Sequence, residues 1–118
     1  MDKKIVLKID DNEYSINFPT VGDLIDIEIL KSHYSKGKYL SMLGTRTVTS
    51  NFALDMIDAV SHFSVLIPSL KEDLKVKSLM DLSIPDSKEL VDVYRKEFTP
   101  WFNGWLEILR SDVEEEKK

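Results

Sequence analysis

The sequence predicts an α+β fold in which an N-terminal β-hairpin precedes a bundle of three to five α-helices. Alternation of apolar and polar residues with period two on both sides of a polar turn marks residues 4–18. Helical periodicity with capping residues then extends over residues 20–110. Strands followed by helices are typical of the α+β class. The chain has 118 residues, the size of one domain. We place that domain at residues 1–111, followed by a charged tail, residues 112–118, that is expected to be disordered.

Two apolar rows flanking a polar turn predict the hairpin. Residues 10–13 supply the turn because Asp and Asn tolerate left-handed backbone angles. A two-stranded ribbon is marginal in water by itself, so its apolar face should pack on helices or on another chain. The apolar rows consist of Ile5, Leu7 and Ile9 in the first strand and Tyr14, Ile16 and Phe18 in the second.

The first helix is predicted from a capping pattern at Thr20 and Asp23. Residues 24–34 also show strand-like alternation, but the cap favours a helix. As a helix, this segment carries Ile25 and Ile29 on a different side from its other large apolar residues, so it is either central in the fold or shared with a partner. Those other residues are Leu24, Ile27 and Tyr34.

The middle of the chain contains a weak region and then a clear helix. Residues 39–43 predict a short helical segment, and the polar residues 44–50 predict a mobile loop. The next helix is expected to be capped by Ser50 or Asn51 and to run to about Leu66, before Pro68. Its buried stripe comprises Ala53, Met56, Ile57, Val60, Phe63, Ser64 and Ile67.

Short helical turns near residues 70–74 and 79–82 lead into the last helix. Asp86 and Ser87 are candidate N-caps, and apolar periodicity continues to about Arg110. Pro100 either kinks this helix or starts a second one with Thr99 as its N-cap.

Four aromatic residues fall within eight positions of the last helix, at Phe98, Trp101, Phe102 and Trp105. Large aromatics dominate small cores, which favours packing against the hairpin. Trp and Phe are also enriched in protein interfaces. The two interpretations can hold for different residues. The candidate partner-binding residues are therefore Tyr94, Phe98, Trp101, Phe102, Trp105, Ile25 and Ile29.

The residues that could carry chemistry lack the companions that chemistry requires. His33 and His62 have no neighbouring His ligand and are expected at the surface or half-buried. Asp55 and Asp58 share a helix face, which we interpret as a solvated face. There is no cysteine and no glycine-rich phosphate loop. The sequence therefore predicts no catalytic residue, no cofactor and no metal, and a protein that is not an enzyme.

Charge and hydropathy exclude other partner classes. The net charge of −5 is spread along the chain, without the basic region that nucleic-acid binding requires. The N-terminus lacks the long apolar stretch of a signal peptide, and no stretch approaches the length of a membrane span. We expect a cytoplasmic protein whose partners are other proteins, with neither nucleic acid nor membrane among them.

The layout resembles that of the tail assembly chaperones of tailed bacteriophages. An amphipathic hairpin leads into residues 18–26 (FPTVGDLID), and a helical remainder contains residues 100–106 (PWFNGWL). The resemblance covers most of the chain. It implies a small non-enzymatic protein of the host cytoplasm that binds apolar segments of the helical tape-measure protein or another phage structural protein. The alternative is a structural subunit of the virion, such as a ring or connector component, that self-associates in the particle.

Overall fold

The computed structural model describes residues 2–116, with side chains described as far as Arg110. The chain opens with strand β1 (Lys4–Ile9), which pairs antiparallel with strand β2 (Asn12–Asn17). Asp10 and Asp11 form the turn, and both have positive φ angles, of 52° and 65°. Two consecutive left-handed residues match the twist of a two-residue hairpin. The predicted hairpin is confirmed, but its turn is two residues shorter because Asn12 and Glu13 belong to β2.

Helix α1 (Val21–Tyr34) confirms the helical interpretation of the ambiguous segment. The Asp23 backbone N–H donates to Oγ1 of Thr20, and the Thr20 N–H donates to the Asp23 carboxylate. This reciprocal capping box satisfies two N–H groups that a helix start leaves unpaired. Local cap chemistry thus outweighs the alternation of Ile and acidic residues that resembled a strand.

The loop predicted for residues 44–50 is wrong. Helix α2 (Tyr39–Thr45) and helix α3 (Val48–Leu66) are separated only by Arg46 and Thr47. Arg46 ends α2 in the left-handed conformation, and Oγ1 of Thr47 caps α3 by accepting from the Ser50 N–H. The predicted caps Ser50 and Asn51 therefore lie inside the first turn of α3. Packing of α2 on α3 offsets the weak helix propensity of this polar segment.

Two short elements follow α3 where the sequence predicts them. Helix α4 (Leu70–Asp73) is a single turn, and a 3₁₀ turn occupies Leu79–Asp81. Helix α5 (Ile84–Val93) then begins after Ser83, whose side chain accepts from the Asp86 N–H. The cap is Ser83 rather than Asp86 or Ser87, and Pro85 is accommodated in the first turn, where its missing N–H costs no hydrogen bond.

The last helix continues past Pro100 without a break. A π-helical turn (Tyr94–Phe98) joins α5 to helix α6 (Thr99–Glu116). Thr99 has helical angles, φ −59° and ψ −44°, so it is not an N-cap. A π turn inserts a residue into the ladder and changes its hydrogen bonding immediately before Pro100. With α5 and α6 counted as one continuous helix, the described chain has five helices after the hairpin, and the α+β prediction is confirmed. The tail predicted for residues 112–118 lies outside the described side chains.

One core joins the hairpin to the helices. Leu7, Ile9 and Ile16 of the hairpin are buried against α3, α5 and the π turn. The expectation that the apolar face of the ribbon packs on helices is confirmed. The helical side of this core comprises Val60, Phe63, Ile67, Leu70, Leu79, Leu90, Val93 and Phe98.

Candidate protein-binding site

Phe98, one of the predicted partner-binding residues, lies in the core. Its side chain is 0% exposed, so its assignment to a contact surface is wrong. It stacks on Tyr94 with ring centroids 5.5 Å apart and meets Phe63 edge to face at 6.0 Å. The π turn places Tyr94 and Phe98 at its two ends, and both rings face α3. Tyr94 is itself only partly exposed.

The other three aromatic residues of α6 surround Phe18. The ring centroids of Trp101, Phe102 and Trp105 lie 5.4, 5.3 and 5.8 Å from that of Phe18. Both indole N–H groups donate to the carbonyl oxygen of Asp2, at 2.9 and 2.8 Å. We call Phe18, Tyr94, Phe98, Trp101, Phe102 and Trp105 the aromatic cluster. It joins the last helix to the start of the hairpin, and its three α6 rings around Phe18 are half-buried.

Ile25 and Ile29 are the predicted partner residues that the structure leaves open. Their side chains are 56% and 58% exposed. Val21, one turn earlier, is 76% exposed. The spacing of four residues puts all three along one edge of α1, whereas Ile27 is buried against α3.

A groove along α3, which the sequence did not reveal, is an open and largely apolar surface. It consists of two adjoining hollows of about 390 Å³ and about 250 Å³ that share Tyr34 and Leu79. Met42 of α2 borders it on one side, and Met80 and Ile84 border it on the other. Its floor is the stripe predicted to be buried, without Phe63: Ala53, Met56, Ile57, Val60, Ser64 and Ile67.

We call this surface the α3 groove. Ile57, Val60 and Ile67 are buried at its floor, whereas Ala53, Met56 and Ser64 are half-buried and face the opening. The sequence therefore predicts the right residues on α3 but not that part of their stripe stays uncovered. The one available signal was methionine, since every methionine after Met1 lines this groove.

Charge is distributed unevenly along the α3 groove. Its charged lining residues are Lys36, Lys71 and Lys77. Lys71 and Lys77 border the hollow next to Ile67 and Pro68, where α3 has ended. None of the three lysines forms an ion pair with a described residue.

The interpretation of Asp55 and Asp58 as a solvated face is corrected by their contacts. The Tyr39 hydroxyl donates to Oδ1 of Asp58 at 2.6 Å, and Nζ of Lys31 lies 3.8 Å from the same oxygen. Arg95 pairs with Asp55 at 3.5 Å. Burial, and then the bond to Asp58, raise the pKa of Tyr39 above its ordinary range. These carboxylates connect α3 to α1, α2 and the π turn, and this explains their spacing structurally.

His62 is buried rather than half-exposed, which corrects its predicted location. Its Nδ1 lies 2.7 Å from the Asp58 carbonyl oxygen, and because a carbonyl only accepts, Nδ1 carries the proton. The ring packs against Tyr94 and Phe98 at 5.0 and 5.4 Å. Burial lowers the pKa of His62 below 6.5, so it is a neutral packing residue. His33 is exposed, as expected.

The described residues contain neither a metal-binding cluster nor a helix suited to a membrane. No group of three or more His, Cys, Asp or Glu side chains lies close enough to hold a metal ion in this part of the chain. None of the helices described here combines the length and the hydropathy needed to cross a bilayer.

Comparisons of the chain with protein-family models, with curated proteins and with solved structures found no match.

Proposed function

We propose that this chain is a non-enzymatic protein-binding module that acts in bacteriophage morphogenesis as a tail assembly chaperone. In this role the α3 groove holds an apolar helical segment of the tape-measure protein. The observation that carries the proposal is the apolar groove itself, lined by Met42, Met56 and Met80. Unbranched methionine side chains adapt to different partner surfaces, and they are common where one protein binds many apolar sequences.

The dimensions of the groove suit a helical client. From Ala53 to Ile67 its floor is about 21 Å long at about 1.5 Å per residue, close to four helical turns. An amphipathic helix binds such a groove through residues spaced three and four apart. Since Val60 and Ile67 are already fixed by the core, much of the floor is formed before a client arrives, which lowers the entropy cost of binding.

Two serine hydroxyls that line the groove do not compete with an apolar client. The Ser35 hydroxyl donates to the Ser32 carbonyl oxygen, and the Ser87 hydroxyl donates to the Ile84 carbonyl oxygen. Both hydroxyls are buried and are used by their own helices. An apolar side chain that covers them therefore strips no water from an unpaired donor.

The test is direct binding of the purified chain to the tape-measure protein encoded in the same genome, measured by biolayer interferometry. We expect Ala53→Glu combined with Met80→Glu to weaken binding at least tenfold, since both place a charge in the groove. Leu40→Glu is the matched control, because Leu40 is 81% exposed and does not line the groove. Absence of wild-type binding, or equal binding by the double variant, would remove the proposal.

The exposed edge of α1 favours a second candidate, a structural virion subunit that self-associates. Val21, Ile25 and Ile29 form one apolar row suited to contact with another helix. If this row joins copies of the chain, Ile25→Glu with Ile29→Glu should convert an oligomer to monomer in sedimentation velocity. Mass spectrometry of purified particles separates the candidates further, because a subunit is present in the virion and a chaperone that acts only during assembly is not.

A further inference from the structure

The lysines at one end of the α3 groove specify the partner further, and the inference drawn from them rests on the proposed function. We infer that the groove selects an amphipathic helix that carries carboxylates at one end of its apolar face. The apolar side chains would occupy the hollow between Met42, Met56 and Met80. The carboxylates would lie against Lys71 and Lys77, whereas Lys36 borders the methionine-lined hollow.

Charge complementarity carries this choice of occupant. The chain has a net charge of −5, yet the charged residues that line the groove are all basic. Glu72 and Asp73, the two acidic residues that directly follow Lys71 in the chain, do not line it. A partner helix that is apolar throughout would leave these lysines without a counter-charge, and one with a basic end would meet repulsion.

The uneven placement of the lysines also makes the two ends of the groove different. The hollow bordered by Met42, Met80 and Ile84 has only Lys36 as a charged neighbour, whereas Lys71 and Lys77 both border the other hollow. An apolar groove alone allows a helix to slide by one turn or to reverse. A charged end fixes register and orientation, as charge pairs do at the edges of coiled coils.

A separate hollow, outside the α3 groove, also has charged lining residues, but these are paired with one another. It lies between α3 and α5, has a volume of about 290 Å³ and is lined by Phe52, Asp55, Lys88, Asp92 and Arg95 among others. Its charges are already matched, because Lys88 pairs with Asp92 and Arg95 pairs with Asp55. In the α3 groove, by contrast, none of the lining lysines is matched by an ion pair to a described residue.

The experiment uses two synthetic 18-residue peptides with the same apolar positions at helical spacing. One has three Glu in its first turn, and the other has three Lys there. By isothermal titration at low salt we expect the Glu peptide to bind about tenfold more tightly, the sum of a few exposed ion pairs. That advantage should shrink as salt is raised. Lys71→Glu with Lys77→Glu should reverse the preference, whereas the control Lys4→Glu with Lys96→Glu should leave it unchanged.

The outcomes separate this inference from the proposed function. Equal binding of both peptides that Ala53→Glu with Met80→Glu abolishes would keep the groove as a binding site and overturn the inference. Binding of neither peptide would overturn both. A 15-nucleotide single-stranded DNA included as a probe should not bind. If it binds and the Lys71/Lys77 variant loses it, the lysines are a phosphate-binding surface and the inference fails.

Discussion

Two apolar regions of the molecule, the aromatic cluster and the α3 groove, differ in what covers them. The rings of Trp101, Phe102 and Trp105 meet Phe18, and the indole N–H groups have a carbonyl acceptor in Asp2. In the groove, Met80 is 40% exposed and Ile84 is 62% exposed. The aromatic rings of the cluster therefore pack against one another within the fold, whereas Met80 and Ile84 stay open at its surface.

The largest loss of stability is expected when Phe98, in the aromatic cluster, is replaced. Phe98→Ala removes a ring that is fully buried among five aromatic side chains. A cavity of this kind costs about 3–5 kcal/mol of unfolding free energy, measured by urea denaturation followed by circular dichroism. Phe52→Ala is the matched control, since Phe52 is 57% exposed beside the separate hollow between α3 and α5. This substitution should cost under about 1 kcal/mol of unfolding free energy. Equal losses for the two variants would contradict the division between covered and open surface.

A smaller loss of stability is expected when the indole hydrogen bonds are removed. Trp101→Phe and Trp105→Phe keep a ring next to Phe18 but remove the donor to the Asp2 carbonyl oxygen. Each should lower the unfolding free energy by about 0.5–1.5 kcal/mol, read from thermal unfolding. Because neither residue lines the α3 groove, both variants should bind the Glu peptide like the wild type. Loss of binding with the fold intact would instead mean that these residues form part of a partner-binding surface.

The fold could be predicted where its signals are local. The capping box at Thr20 and Asp23 is two hydrogen bonds between neighbours in sequence, and it identified α1 despite the strand-like pattern. The cap of α3 was misplaced because Thr47, Ser50 and Asn51 are all competent caps, and contacts with α2 decide between them. The π turn is hard to recognise in the sequence because it shifts the helical period by a single residue.

The α3 groove could not be predicted because it lies between elements. Met42 belongs to α2, Met56 to α3 and Met80 to the 3₁₀ turn, and no periodicity in one helix reveals what its neighbours leave uncovered. For the aromatic cluster the residues could be recognised in the sequence, but their burial could not. Its residues are conspicuous in sequence, but whether Phe98 faces the core or solvent depends on the position of α3, which sequence spacing does not give.

The pH dependence of stability should report the burial of His62. Burial lowers the pKa of His62 in the folded chain below 6.5. As the pH falls through 6.5, the unfolded chain gains a proton that the folded chain does not, so stability decreases toward acid. The contribution of this group is at most about 1.36 kcal/mol per pH unit. His62→Asn should flatten the slope of unfolding free energy between pH 6.5 and pH 5, as measured by urea denaturation.

His33→Asn provides the control for that slope, because His33 is exposed and its ring lies 5.8 Å from that of its neighbour Tyr34. A slope that changes equally in both variants would mean that His62 is not sequestered from solvent. His62 lies in the covered region, next to Tyr94 and Phe98. Its titration therefore also tests whether the aromatic cluster excludes water.

The smallest effect on stability is expected at Met80, and it completes the comparison. Met80→Ala removes a side chain that contributes to the groove rim but is 40% exposed. The unfolding free energy should change by no more than about 0.5 kcal/mol, measured in the same urea titration as Phe98→Ala. Binding of the Glu peptide should nevertheless weaken about fivefold, because the apolar area that Met80 buries is created only in the complex. A stability loss near that of Phe98→Ala would mean that the methionines support the fold, and that the α3 groove is packing surface rather than a site held open for a partner.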